Sequence, residues 1–216
     1  MIDELKKGIK LLKYSFNFKT NLVAGIFFLI CGVVFIFIDE QVFMLGGTYI
    51  MLAPIMMLQI LFTMLCANIV ASSPGKPVLE IWLASVIGGG TMILCYIFLI
   101  AITAFKISKT PLLESEYLKD LVCLGMVAAI LMMYMSVCYK LFVISILGFC
   151  FVYPFIYSFI RGMLSVIEGH LTIVNCSLTG FGFVLLGAVL AFLINRILYR
   201  KPVSKWAMGA KFRKYM

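Results

Sequence analysis

Six long, predominantly apolar stretches constrain this chain more than any other feature. They run over residues 22–38, 42–70, 81–105, 121–139, 141–160 and 178–198, and only the last holds a charge, Arg196 near its end. A bilayer core of about 30 Å needs roughly 20 apolar residues of helix, at about 1.5 Å of rise each. Charges mark the borders: Lys19 and Asp39–Glu40 around the first stretch, Glu80 and Lys106 around the third, then Lys140 and Arg161. Backbone polar groups in lipid must be satisfied within the segment, which makes these stretches helices. A barrel would show short alternating strands, and nothing here alternates. The expected fold is an all-α polytopic membrane protein, a single transmembrane domain over 1–216 with six transmembrane helices.

Composition excludes the other classes. The chain is 64% hydrophobic and 12% charged, where soluble domains are about 45–50% and about 25%. Eighteen Lys and Arg against nine Asp and Glu leave a formal net charge of +9. A nucleic-acid binder would need a polar body to carry such a patch, so no nucleic-acid partner is expected. The excess is instead a topology signal, because cytoplasmic flanks retain Lys and Arg. With the N-terminus inside, only Lys106, Lys109, Lys119 and Arg161 of the eighteen fall outside, together with six of the nine acids. Six spans with both termini cytoplasmic follow, with 199–216 as a basic cytoplasmic tail.

The first 20 residues do not read as a signal peptide, since no small-residue cleavage site follows and five more spans come after. Leu5, Ile9, Leu12 and Phe16 continue a stripe begun by Ile2 at helical spacing, with Lys6, Lys7, Lys10 and Lys13 between them. That pattern predicts an amphipathic helix in the membrane interface, its lysines on anionic lipid; the plainer alternative is a basic anchor. On the outer side, 106–120 reads as a polar loop with Pro111. Residues 161–177 are apolar for a loop and leave two readings open, a re-entrant pair of half-helices or a simple loop. Pro54 and Pro154 sit inside spans and favour kinks. The triple glycine 88–90 permits either close helix contact or a weak point.

Chemistry is sparse. No charged residue lies at the middle of a span, which disfavours proton relays and ion-coupled carriers. The single histidine, His170, builds no metal site, and the seven cysteines stand singly without a C-x-x-C. No phosphate-binding G-x-x-x-x-G-K-[ST] occurs. No catalytic, cofactor-binding or metal-ligating residue is assigned, and the chain is not expected to be an enzyme.

The most distinctive text is GGTYIMLAPIMMLQILFTMLCANIVASSPGKPVLE, from Gly46 to Glu80. A long apolar helix with a mid-span proline, followed by Ser-Ser-Pro-Gly-Lys-Pro, resembles the permease subunits of type-2 ABC exporters of Gram-positive bacteria. Their layout is also similar: an amphipathic N-terminal helix, six spans and a short cytoplasmic loop after the second. The resemblance implies a multi-pass protein of the bacterial plasma membrane, with ATP and magnesium held by a partner. Two ATPase subunits would drive two permease copies, as a homodimer or with a similar permease. Residues 2–16 would form the connecting helix. The segment 71–82, with Ser72, Ser73, Pro74, Gly75, Lys76, Pro77 and Glu80, would dock on the ATPase. Tyr139–Lys140 would make a second, smaller contact. Pathway or hinge candidates are Pro54, Met56, Gln59, Pro154 and Tyr157, and soft Met and aromatic surfaces suit varied apolar cargo. The expected function is export of a hydrophobic or amphipathic cargo, peptide first. The alternatives are the substrate-capture membrane subunit of a vitamin importer, or a non-transporting immunity or scaffold protein.

Overall fold

The computed structural model describes residues 2–13, 15, 17–38, 42–65, 75–166 and 171–201, with side chains from residue 6 onward. Among them are seven α-helices and no strand. The helices are α1 (Ile2–Leu12), α2 (Phe18–Ile38), α3 (Phe43–Leu65), α4 (Ala84–Lys109), α5 (Glu114–Cys138), α6 (Phe142–Val166) and α7 (Ile173–Leu198). A π-helical turn, Val78–Leu83, leads directly into α4, and a 3-10 turn, Pro111–Leu113, leads into α5. Taken with those turns, α2 to α7 are six helices long and apolar enough to cross a membrane.

The hub is α5. Of its most apolar stretch 78% is buried, against 6% for α6. α3, α4, α6 and α7 surround it, α2 leans on α3, and α1 lies against the π-helical turn and α3. Small residues set the closest approaches. A β-carbon on Gly125 of α5 would stand 2.5 Å from the carbonyl oxygen of Gly180 of α7. One on Gly187 would stand 2.5 Å from Cα of Ala129. Both contacts climb the two helices together, so α5 and α7 run parallel along a seam of backbone contact. Gly32 and Gly46 make the equivalent contact between α2 and α3, each β-carbon falling 2.7 Å from the other's carbonyl oxygen. With no hydrophobic drive between helices in lipid, such van der Waals contact holds the bundle together. The triple glycine belongs here too: Gly88 faces Leu58 of α3 and Gly89 faces Ala188 of α7, while Gly90 meets nothing within 4 Å.

Several boundaries differ from the sequence reading, for one reason: hydropathy reports the apolar part of a helix and misses its polar ends. Most of the expected loop 106–120 is helix, since α4 runs to Lys109 and α5 begins at Glu114. The stretch 161–177 contains no separate half-helices among its described residues. Residues up to Val166 finish α6, and α7 opens at Ile173 behind Thr172, whose hydroxyl caps the Asn175 amide; residues 167–170 lie outside the described set. α3 is described to Leu65, so the remainder of 42–70 also lies outside it.

α1 is a helix, and its seat is partly on protein. A β-carbon on Gly8 would press on Leu79 and Leu83 of the π-helical turn, and Leu12 packs against the main core. Ile9, Lys6, Lys7 and Lys10 are exposed. The side chain of Leu5 and all of Phe16 lie outside the described residues. The following Ser15 donates its hydroxyl to the Ile60 carbonyl at 2.9 Å, tying the α1–α2 junction to the last turns of α3.

Candidate functional site

The residues assigned to two separate docking contacts meet in one cluster at the basic end of the bundle. Lys140 sits in the tight α5–α6 turn, and its Nζ lies 2.7 Å from Oε1 of Glu80 in the π-helical turn. The Tyr139 hydroxyl donates to the same carboxylate oxygen. Lys140 also donates to the carbonyl of Lys201, just beyond α7. The Tyr139 ring stacks on Phe62 of α3, with centroids 4.2 Å apart. Glu80 is 1% exposed and Lys140 4%. A buried carboxylate and ammonium of this kind persist only when paired and hydrogen-bonded, and here both conditions hold.

This arrangement divides the expected docking set. Glu80, Tyr139 and Lys140 face one another and offer no surface to a partner, because the π-helical turn carries Glu80 inward under the α5–α6 turn. Lys76 stays half-exposed, 3.9 Å from Oε2 of Glu80. Gly75 is half-buried and Pro77 exposed. Ser72, Ser73 and Pro74 lie outside the described residues. The i, i+4 spacing of Lys76 and Glu80 was visible in sequence; the partner 60 residues away was not.

The pathway candidates are not gathered into one place. Pro54, Met56 and Gln59 lie on α3 and Pro154 and Tyr157 on α6, helices that pack on α5. Pro54 is buried, Met56 and Gln59 are half-buried, and Pro154 is exposed. Tyr157 belongs to an aromatic file along α6: Phe149 stacks on Tyr153 at 5.3 Å, and Tyr153 on Tyr157 at 6.2 Å. Tyr134 of α5 extends it at 5.0 Å from Phe149.

The file ends in a second charged group, unread in the sequence, at the opposite end of the bundle from Lys140. Arg161 of α6 reaches Glu116 at 3.0 Å and Asp120 at 3.1 Å, both on α5. It donates to the Tyr157 hydroxyl at 2.6 Å, and Lys119 pairs with Glu116 at 2.9 Å. The signal was available: an antiparallel hairpin turning at 140 sets Asp120 opposite residue 160. Two acids and two bases leave this group neutral, and its reach across α5 and α6 makes it a clasp.

An open groove of about 470 Å³ runs between α2 and α4. It is lined by Leu29, Ile30, Val33, Val34, Leu94, Cys95 and Phe98, all apolar.

No family model matches the chain, and no curated protein and no solved structure matches it.

Proposed function

We propose that this chain is the membrane-spanning permease subunit of an ATP-driven ABC exporter. On this reading it lies in a bacterial plasma membrane, both termini and the basic end facing the cytoplasm. Its α1 lies at the interface, with Lys6, Lys7 and Lys10 toward anionic lipid. Two copies of a separate ATPase, carrying ATP and magnesium, act on two permease copies, as a homodimer or with a similar permease. The cargo is hydrophobic or amphipathic, with peptides first.

The observation that carries this reading is the Glu80–Lys140 cluster. The segment after α3 and the α5–α6 turn are the two places where the resemblance puts ATPase contacts. They are joined by a buried ion pair, with Lys201 beyond α7 as a third anchor and α1 resting on the same π-helical turn. A push on 75–80 would therefore reach α1, α4, α5, α6 and the end of α7 as one body, as a subunit driven from outside requires. The apolar groove between α2 and α4 agrees with an apolar cargo and offers no polar pocket for a vitamin.

Purification of the chain from its native membranes should bring down an ATPase whose hydrolysis responds to the permease. Replacing residues 73–76 with a Gly/Ser linker should leave the fold intact and uncouple that response. Retained coupling would refute the docking assignment, and absence of any ATPase would refute the exporter reading.

A further inference from the structure

A small cavity lies where α3, α4, α5 and α7 cross, lined by none of the residues of the charged clusters or of the open groove. Its volume is about 10 Å³, close to the least that encloses one water molecule. Its walls are apolar apart from three side chains, Ser85 of α4, Ser136 of α5 and Asn195 of α7. Asn195 is 3% exposed, and its Oδ1 has no hydrogen-bond partner. In a helix interior an orphaned amide oxygen costs about 1–3 kcal/mol.

The two serines are not free to satisfy it. Ser85 donates its hydroxyl to the Ile81 carbonyl at 2.7 Å, and Ser136 donates to the Met132 carbonyl at 3.0 Å. Each hydroxyl hydrogen is committed to its own helix, so what remains on both side chains is lone pairs. With Asn195 Oδ1, the cavity holds acceptors on three helices and no spare hydroxyl donor. A guest must therefore bring hydrogens or positive charge, and must be the size of a water. Three neutral oxygens are few for a dehydrated cation, whereas a buried water makes about two to four hydrogen bonds and has two hydrogens to give to these acceptors.

We infer that the cavity binds a single water, donating one hydrogen to Asn195 Oδ1 and the other to the Ser85 hydroxyl oxygen, and so bridging α7 to α4. The bridge joins two helices through a removable molecule in place of a direct side-chain bond. It stands beside Gly88 and Gly89, which line the same cavity, so the crossing is both tightly packed and hydrated at one point. The inference does not depend on the exporter reading.

Water-selective magnetisation transfer to the Asn195 side-chain amide, in protein with labelled asparagine, tests occupancy directly in the intact chain. A cross-peak from a long-lived water supports the bridge, and its absence overturns it. Ser85→Ala and Asn195→Ala should each lower the melting temperature of the detergent-solubilised protein by about 2–4 °C. Because both remove ends of one bridge, the double variant should fall no further than the worse single one; fully additive losses would count against the bridge. A melting temperature that rises with sodium or potassium at constant ionic strength, and is lost in Asn195→Ala, would assign the site to a cation and overturn the water.

Discussion

A β-carbon on Gly180 would run into the Tyr96 hydroxyl oxygen. That hydroxyl crosses from α4 to donate to the Leu121 carbonyl of α5 at 3.1 Å. Three helices thus meet at one phenol, and the missing side chain on α7 makes room for it. Gly180→Ala should destabilise the purified protein by about 1–3 kcal/mol, the usual range for overfilling a packed site. Tyr96→Phe should cost about 1 kcal/mol, for the lost hydrogen bond. Removing the hydroxyl also removes the closest clash, so Gly180→Ala should cost less in the Tyr96→Phe background than in the wild type. Thermal melts of the four proteins in one detergent decide it, and simple additivity would refute the contact.

At the scale of elements, the buried Glu80–Lys140 pair fastens the π-helical turn to the α5–α6 turn. Lys140→Met leaves the buried Glu80 carboxylate with only the half-exposed Lys76, 3.9 Å away, and should cost about 3–5 kcal/mol, with Glu80→Met comparably severe. The double Met variant should be more stable than either single one, because no charge is then left unpaired. Equal losses in all three would mean that the pair is solvated in the folded protein. Much at this scale was legible in the sequence. The six spans were plain because Lys19, Glu80, Lys106, Lys140 and Arg161 bound them, and the register of Ile2, Ile9 and Leu12 announced α1. What stayed hidden was pairing across distance. The link of Glu80 to Lys140, and the glycine seams, depend on which helix stands beside which, and in a bundle of uniformly apolar helices no hydrophobic stripe points to a neighbour. The Arg161 clasp is the exception that hairpin geometry would have revealed.

For the whole molecule, the proposed orientation puts the end that holds the Arg161 clasp outside and the end that holds the Glu80–Lys140 pair inside. Glu114 suits a test, because it is exposed and stands outside the Arg161 clasp. In a background without native cysteines, Glu114→Cys should react with a membrane-impermeant thiol reagent in intact cells. Lys205→Cys should react only after permeabilisation. The opposite pattern would invert the orientation.

The parallel seam between α5 and α7 also bears on how the protein is made. α5 is the most enclosed helix, yet two of its four neighbours leave the ribosome after it. Until α6 arrives, Glu116 and Asp120 have no Arg161 to neutralise them. Until α7 arrives, the Gly125–Ala129 face is covered only by lipid. The core is therefore closed only when α7, the last of these seven helices, joins it. Nascent chains halted before residue 173 should remain inserted but open to quality-control proteases, and resistance should appear in a single late step, when α7 slides into place beside a helix made two spans earlier.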